Sequence, residues 1–243
     1  MLTVDGLTKF FASNRVLDGF DLRVPRRGFT ILVGPSGCGK STLFDVLTGI
    51  VPPDSGEIHW LGRPVSGLER IAAYMQQRDL LLPWLTLMEN ALLPARIGRL
   101  EGGVSQAEAL FVRMGLSGFE DHLPAMVSGG MRQRCALVRT LMFNRELVLL
   151  DEPLSALDAI TRRHLHGLLL MLQTEFDRTL LMITHDIEEA LLLGDEVLLL
   201  GPSPLRVVER LMPPPGKPRS SSNPTLVDLK AKALELLAGE NGR

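Results

Sequence analysis

A glycine-rich stretch between two apolar segments constrains the fold of this 243-residue chain more than any other feature. Residues 34–42 read Gly-Pro-Ser-Gly-Cys-Gly-Lys-Ser-Thr and match the pattern G-x-x-x-x-G-K-[ST] at every position. The preceding Phe29–Val33 is typical of a buried strand, and the following Ser41–Ile50 is typical of a helix. This strand–loop–helix context is the one the motif requires, so the sequence predicts a loop that binds the phosphates of a nucleotide.

The residue types in this loop explain why it would bind phosphate. Its glycines let the backbone curve until successive N–H groups point inward, and the helix contributes its positive dipole end. Lys40 can reach the β- and γ-phosphates, and the Ser41 hydroxyl can bind Mg²⁺. The residues expected to bind nucleotide are Gly34, Pro35, Ser36, Gly37, Cys38, Gly39, Lys40, Ser41 and Thr42.

Composition narrows the class of protein. The formal net charge of −2 argues against a dedicated nucleic-acid binder, which usually carries a basic stripe. The only cysteines, Cys38 and Cys135, lie far apart, which favours a reducing compartment. We expect no signal peptide, because the N-terminal residues show neither a basic region nor a long apolar region. We expect no membrane span, because no apolar run reaches about 18 residues. A role at a membrane would then require another subunit.

Apolar segments typical of strands dominate the first 75 residues, and helical spacing dominates from about 86 to 141, with a break at Gly102 and Gly103. Beyond this, strands alternate with helices, which predicts a parallel sheet. The predicted strands are Leu2–Val4, Val16–Asp18, Phe29–Val33, Glu57–Leu61, Ile71–Met75, Leu147–Leu150, Thr179–Ile183 and Glu196–Leu200. The later predicted helices are Ala159–Phe176, Asp186–Leu193 and Thr225–Ala238.

An acidic pair, Asp151 and Glu152, follows the apolar segment Leu147–Leu150. A strand that ends in aspartate commonly accompanies such a loop, because the carboxylate can hold Mg²⁺ through water. Glu152 could polarise an attacking water. A merely solvated strand end is the competing interpretation, which the intact glycine-rich loop makes the weaker one.

Three further segments complete the pattern. They are Val127-Ser128-Gly129-Gly130-Met131-Arg132-Gln133-Arg134, Ser155-Ala156-Leu157-Asp158 and Thr184-His185-Asp186. In this order the motifs resemble those of the ATP-binding subunits of ABC transporters, over about residues 1–212. Val127 departs from the family pattern, which usually has leucine there, and we expect no loss from this apolar replacement.

The resemblance implies an α/β fold: a P-loop NTPase (RecA-like) core with an N-terminal antiparallel β subdomain and an inserted α-helical subdomain. The ABC ATPase domain would cover residues 1–212, with the helical subdomain at about 86–141. Residues 213–243 would form a Pro/Ser-rich, mobile linker and a C-terminal amphipathic helix.

The resemblance also implies ATP and Mg²⁺ as cofactors, with Ser41, Gln77 and Asp151 at the metal. We prefer Gln77 to Gln76 because of its spacing to Leu82-Pro83-Trp84. Glu152 would be the catalytic base and His185 the contact to the γ-phosphate. The competing interpretation is that His185 is a histidine at a strand end that forms a hydrogen bond with its own backbone.

A second set of residues would act across a homodimer. Ser128, Gly129, Gly130 and Gln133 would contact the ATP of the partner subunit, and Asp158 would lie at the dimer seam. Ser128 would also cap a helix. Phe11 would pack against adenine, with Phe10 as the competing choice and a core role open for either.

A single cassette without a membrane span resembles importers whose permease is a separate chain. The segments 82–90 (Leu-Pro-Trp-Leu-Thr-Leu-Met-Glu-Asn) and 185–191 (His-Asp-Ile-Glu-Glu-Ala-Leu) resemble those of the nitrate, sulfonate and taurine group, which includes transporters of thiamine precursors. The implied partners are a second copy, a transmembrane permease and, indirectly, a solute-binding protein, with no nucleic acid. The subunit would lie at the cytoplasmic face of the membrane. The transported solute would be a small anion or a thiamine precursor. Leu80, Leu81, Leu82 and Trp84 would dock the permease, or else belong to the subdomain core.

Two other functions compete. A soluble ABC ATPase that acts on nucleic acid or ribosomes usually has two cassettes, coiled-coil arms or zinc-binding cysteines. A regulatory module that binds ATP without turnover is disfavoured by Glu152 and His185.

For Cys38, the nearby helix N-terminus and Lys40 predict a lowered thiol pKa, and hence inactivation by maleimide with protection by MgATP. Cys135 is predicted to be a small core residue.

Overall fold

The computed structural model describes residues 1–98, 103–155 and 157–240, and within them the chain forms two β-sheets flanked by helices. Gly102 and Ala156, which belong to predicted features, lie outside these residues. The strands are β1 (Leu2–Phe11), β2 (Asn14–Val24), β3 (Phe29–Val33), β4 (Ser55–Trp60), β5 (Arg63–Val65), β6 (Ala72–Met75), β7 (Leu147–Asp151), β8 (Thr179–Thr184), β9 (Glu196–Leu200) and β10 (Val207–Leu211). The helices are α1 (Lys40–Leu47), α2 (Leu87–Gly98), α3 (Gly103–Arg113), α4 (Gly129–Leu141), α5 (Ala159–Thr174), α6 (Ile187–Leu193) and α7 (Pro224–Glu240).

The larger sheet has the order β10-β9-β3-β8-β7-β6 and is parallel except for β10. Every residue of β3, β7 and β8 is buried, as expected of strands covered on both faces. Val33 pairs with Thr184, and Asp151 pairs with Ile183. The carboxyl ends of these three strands therefore lie side by side, at the edge where open α/β sheets bind ligands.

The smaller sheet has the order β2-β1-β4-β5 and is antiparallel. It packs its apolar face on α1 and on one face of the larger sheet, where Leu32 contributes to the same core. The neighbouring Ile31 points to the opposite core, which α2–α6 share. This alternation along β3 lets one strand anchor both cores.

Three helices, α2, α3 and α4, occupy most of residues 87–141 and share apolar contacts with the larger sheet. A reciprocal capping box begins α2: the Glu89 amide donates to Thr86 Oγ1, and the Thr86 amide donates to Glu89 Oε2. Buried Asn90 donates to the carbonyls of Leu82, Leu85 and Thr86. The turn before α2 is therefore fixed by side chains. The limits of the helical subdomain and of the ATPase domain that were inferred from the sequence stay a prediction.

The C-terminal part differs from the sequence-based prediction. The strand β10 was not predicted, and it extends the sheet antiparallel to β9. The Pro- and Ser-rich segment, expected to be mobile, contacts the core: Lys217 pairs with Asp195 at 2.6 Å. Helix α7 buries Leu226 and Ala233. Among the described residues, no helix combines the length and apolar character needed to span a bilayer.

Candidate active site

The glycine-rich loop joins β3 to α1 and depends on close backbone packing. Gly39 stands at the start of α1 with a φ of 111°, a conformation that favours glycine. A Cβ at Gly39 would lie 2.8 Å from Cγ1 of Val16, and one at Gly34 would lie 2.9 Å from the Leu200 carbonyl oxygen. Both positions require glycine, so the tight curve predicted from the motif has a steric basis here.

Lys40 extends into this loop and is only 7% exposed. Its Nζ donates to the carbonyl oxygens of Gly34 and Pro35, each at 2.7 Å. The ammonium is thus held at the concave side of the loop, where a phosphate would meet it together with the N-terminus of α1.

Asp151 ends β7 beside Ser41, the second residue of α1. Burial raises the pKa of Asp151 to about 6, against a hydrogen bond from Ser41 that lowers it. Negative Glu152 raises this pKa further, and the charge of Lys40 lowers it. A buried carboxylate opposite a serine hydroxyl is a set of oxygen donors of the kind Mg²⁺ prefers, and a cation there would favour the ionised form.

Glu152 follows at the carboxyl end of β7 in a left-handed conformation, with a φ of 48°. Its amide donates to the Ile183 carbonyl at 2.9 Å, which fixes the turn against β8. Its Oε2 accepts a hydrogen bond from Gln77 Nε2 at 3.2 Å and lies 3.4 Å from His185 Nδ1. Three residues singled out from separate motifs therefore meet at one carboxylate oxygen.

Gln133 requires a correction. It was grouped with the residues that would contact the ATP of a partner subunit, but it is buried, with 5% exposed. Its Nε2 donates to the carbonyls of Glu152 at 3.3 Å and Pro153 at 3.2 Å. Gln133 therefore supports the turn at Glu152 within its own chain, because it lies on the inward face of α4.

The first turn of α4 faces outward instead. Ser128 caps the helix, with its Oγ accepting from the Met131 amide at 3.2 Å, and Gly129 is also exposed. In the described part of the chain, no hydrogen bond or ion pair joins residues 128–130 to the loop at 34–42. An exposed helix N-terminus of this kind offers free N–H groups to an anion from outside the chain.

Asp158 and the two aromatic candidates are the next predicted positions. Asp158 Oδ1 accepts from the Thr161 amide at 3.0 Å at the start of α5. Phe11 and Phe10 are both exposed, and each has a cation near its ring: Lys9 Nζ at 5.7 Å and the guanidinium of Arg15 at 5.1 Å, respectively. The structure does not separate these two aromatic candidates, and the assignment to Phe11 stays a prediction.

The apolar run before α2 divides into two groups. Leu80 and Trp84 are exposed, by 49% and 70%, whereas Leu81 is buried and Leu82 half-buried. Leu81 is therefore core, and the docking expectation applies to Leu80 and Trp84. Arg139 donates to the carbonyls of Asp79 and Leu80 at 2.6 and 2.7 Å.

A pair of arginines on α4 was missed by the sequence analysis. Arg132 Nε lies 3.0 Å from Asp79 Oδ2, and Arg139, two turns later on the same helix face, binds the adjacent backbone. Their spacing of seven residues was the available signal. Together they attach α4 to the segment that follows Gln77.

The prediction that the thiol pKa of Cys38 is lowered is wrong. Burial raises the pKa of the Cys38 thiol and outweighs the charge and hydrogen bonds of Lys40. The side chain is only 2% exposed. Because the thiolate is the reactive form, Cys38 should react slowly with maleimide. Cys135 is buried, as predicted for a core residue, and burial raises its pKa to about 12.

Comparison with known proteins places this geometry in context. The family model described as ABC transporter matches residues 17–155. The aliphatic sulfonates import ATP-binding protein SsuB 1 of Burkholderia cenocepacia is 39% identical over 242 residues, which are 99% of this chain and 73% of that protein. The taurine import ATP-binding protein TauB of Yersinia pestis bv. Antiqua is 39% identical over 213 residues, which are 87% of this chain and 84% of that protein.

Two solved structures are similar as well. One is a dimeric post-hydrolysis state of the ATP-binding cassette MJ0796 bound to ADP and Pi, with a TM-score of 0.78 and 26% identity. The other is described as the dimeric structure of MJ0796, a bacterial ABC transporter cassette, with a TM-score of 0.81 and 27% identity. Each match covers 89% of this chain and 100% of the solved chain.

Proposed function

The chain belongs to the ABC transporter family, and on this premise we propose that it hydrolyses ATP to power solute import through a separate membrane permease. The resemblance and the α/β P-loop fold inferred from the motifs are confirmed by these matches. The observation that carries the proposal is the meeting of Gln77 and His185 at Glu152 Oε2, beside the Ser41–Asp151 pair and Lys40.

In the proposed reaction, the loop at 34–42 and Lys40 bind the phosphates of ATP. Ser41, Asp151 and Gln77 would hold Mg²⁺, which when bound neutralises charge on the phosphate oxygens. Glu152 positions the attacking water and accepts its proton, because a carboxylate within hydrogen-bond reach of that water can act as general base. His185 donates toward the γ-phosphate, and the Gln133 contacts hold the Glu152 backbone in place.

The site proposed here is completed by a second copy of the chain. The exposed N-terminus of α4, residues 128–130, would bind the γ-phosphate of the partner's ATP. Both similar MJ0796 structures are described as dimeric. ATP would then favour the closed dimer because it binds that state better than the open one.

The relatives named for aliphatic sulfonates and taurine favour a small anionic solute with a sulfonate group. The exposed Leu80 and Trp84 would contact the permease, which would place the subunit peripherally on the cytoplasmic face of the membrane. The competing role on nucleic acid or ribosomes has no observation in its favour.

A mixing experiment tests the shared site. Lys40→Ala would remove the phosphate contact, and Ser128→Arg would block the N-terminus of α4, so each variant alone should lose ATP turnover. A mixed dimer contains one site with Lys40 from one chain and Ser128 from the other. Phosphate release that returns on mixing would support the proposal.

The control is a mixture of each inactive variant with a chain that carries both substitutions, which contains no intact site and should stay inactive. Absence of turnover by the wild-type chain, with or without a permease, would overturn the proposed function. Turnover restored in the control mixture would overturn the shared-site arrangement.

A further inference from the structure

A cavity of about 250 Å³ lies away from the nucleotide-binding edge, between α3, the end of α4, α5 and the start of β7. Its walls are mainly apolar and include Leu110, Met114, Val148, Leu172 and Phe176. At roughly 30 Å³ for each water-sized group, the cavity has room for about eight such groups. Its size and lining suit a short aliphatic chain or a small ring.

The polar groups of this cavity are strongly biased in charge. Arg113, Arg145 and Arg178 all line it, and among the described residues no aspartate or glutamate does. The acidic residues next to Arg145 and Arg178 in the sequence pair with other arginines: Glu146 with Arg26 and Asp177 with Arg27. Three cations therefore surround an apolar space without a compensating carboxylate.

The three arginines have few partners of their own. Arg113 Nη1 lies 2.8 Å from Met171 Sδ, and a thioether is a weak acceptor. Arg178 donates to Asn144 Oδ1 at 2.5 Å. In the residues that the structure describes, none of the three forms an ion pair, and Arg145 has no hydrogen bond either. Donors of this kind bind carboxylate, sulfonate or phosphate oxygens well, because the guanidinium presents several N–H groups in a plane.

We propose that this cavity binds a small amphipathic anion, with its aliphatic part among the apolar walls and its carboxylate or sulfonate between Arg113, Arg145 and Arg178. Val148 precedes Asp151 by three residues on β7, a separation of about 10 Å along the strand. The anion and the nucleotide therefore occupy opposite ends of this strand and do not compete. The bound anion contacts α3 on one side and α5 with β7 on the other, so it joins the helical segment to the sheet.

Calorimetric titration of the full nucleotide-free chain tests the site. The probes are octane-1-sulfonate and octanoate, both below micelle-forming concentrations, and neutral 1-octanol as the matched control. We expect both anions to bind and 1-octanol to bind at least about tenfold more weakly, because it lacks the charge-assisted hydrogen bonds. A preference for one anion identifies the head group as sulfonate or carboxylate.

Variants locate the binding. Arg145→Gln and Arg113→Gln should each weaken octane-1-sulfonate by about tenfold without changing the melting temperature of the chain. Ala109→Phe, at the cavity wall, should block binding, and Arg70→Gln, at an exposed arginine before β6, should leave it unchanged. Saturating MgADP should not displace the probe.

The proposal is overturned if millimolar octane-1-sulfonate and octanoate give no binding heat, or if 1-octanol binds as tightly as they do. Equal binding by the Arg113 and Arg145 variants, or displacement by MgADP, would also overturn it. These measurements use no ATP hydrolysis, so a failure of the proposed function would not affect their outcome.

Discussion

The carboxyl edge of the larger sheet and the C-terminal strap, defined as residues 213–240, use charged side chains in opposite ways. At the sheet edge, burial raises the pKa of Asp151 to about 6, and Glu152 adopts a left-handed backbone. In the strap, Arg219 Nη1 donates to the carbonyls of Leu191, Leu192 and Gly194, at 3.0, 3.2 and 2.8 Å, where α6 ends.

This difference shows that charged side chains stabilise the fold in the strap and destabilise it at the sheet edge. The last carbonyls of a helix lack intrahelical partners, and a cation there gives them hydrogen bonds and opposes the helix dipole. A buried carboxylate without a cation has the reverse effect, because burial disfavours its charged form. Substitutions at the sheet edge should therefore change chemistry more than stability, and substitutions in the strap should do the reverse.

The largest effect is expected for Glu152→Gln. Loss of the carboxylate that accepts the water proton should lower ATP turnover by about 10²–10⁴-fold, the usual contribution of a general base. ATP binding should persist, and the variant should remain trapped as a closed dimer. Phosphate release and size-exclusion chromatography with MgATP measure the two properties.

Glu175→Gln, at an exposed residue just after α5, is the matched control and should turn over normally. Near-normal turnover by Glu152→Gln would remove Glu152 from the role of base. It would also contradict the expected difference between the sheet edge and the strap, which is largest for this substitution.

Lys40→Ala should have the next largest effect. Its ammonium is held at the concave side of the loop by the Gly34 and Pro35 carbonyls, where phosphate would accept from it. Loss of a charged hydrogen bond should weaken ATP binding by about tenfold to a hundredfold. Equilibrium binding of a fluorescent ATP analogue measures this, with Lys232→Ala on the exposed face of α7 as control. Unchanged affinity would contradict the assignment of the loop.

Arg219→Ala tests the other side of the contrast. Loss of contacts to three carbonyls should lower the free energy of unfolding by about 1–3 kcal/mol. Arg219→Lys should retain part of this stability, because an ammonium can still donate to the end of α6. Urea denaturation measures the change, with exposed Arg163→Ala as control.

In the same Arg219→Ala protein, ATP turnover at a temperature where the chain is folded should stay within about twofold of wild type. If Arg219→Ala had normal stability but impaired turnover, Arg219 would act on the chemistry rather than on stability. Such an effect could pass through α6, because α6 follows directly after His185.

The sequence predicted the sheet edge better than the strap for a physical reason. Phosphate and metal chemistry restricts residues 34–42 and Asp151 to particular types at fixed spacing, so the motif is visible in one dimension. Arg219 acts on carbonyls 25 to 28 residues away, a contact that only the tertiary fold creates. The short strand β10 was missed likewise, because its pairing with β9 is not encoded by local pattern.

Errors within the site arose from burial rather than from residue type. Gln133 was assigned outward and Cys38 was assigned a lowered pKa, yet both are buried. The sequence identifies which groups are near each other along the chain, such as Cys38 and Lys40. It does not give the desolvation that decides a pKa. The roles of Glu152, His185 and Gln77 stay predictions, although the structure brings their side chains together.

Asp151→Asn tests the contrast through stability, which should change in the opposite direction from Arg219→Ala and by no larger an amount. Folding raises the pKa of Asp151 from its usual 3.8 to about 6, so the folded chain binds the proton more tightly than the unfolded chain. The free energy of unfolding therefore falls as pH rises through this interval, and above pH 6 the full penalty applies. Asparagine removes the charge and can still accept the hydrogen bond from Ser41.

At pH 8 the nucleotide-free Asp151→Asn protein should be more stable than wild type, by about 1–3 kcal/mol, with a smaller gain at pH 5. Turnover should be lost, because the amide cannot hold Mg²⁺ as a carboxylate does. Urea denaturation at both pH values measures the gain, and Asp228→Asn on the exposed face of α7 should show none. Lower stability than wild type at pH 8 would mean that the contacts of Asp151 with Ser41 and Lys40 outweigh its burial, and the sheet edge would then resemble the strap in its energetics.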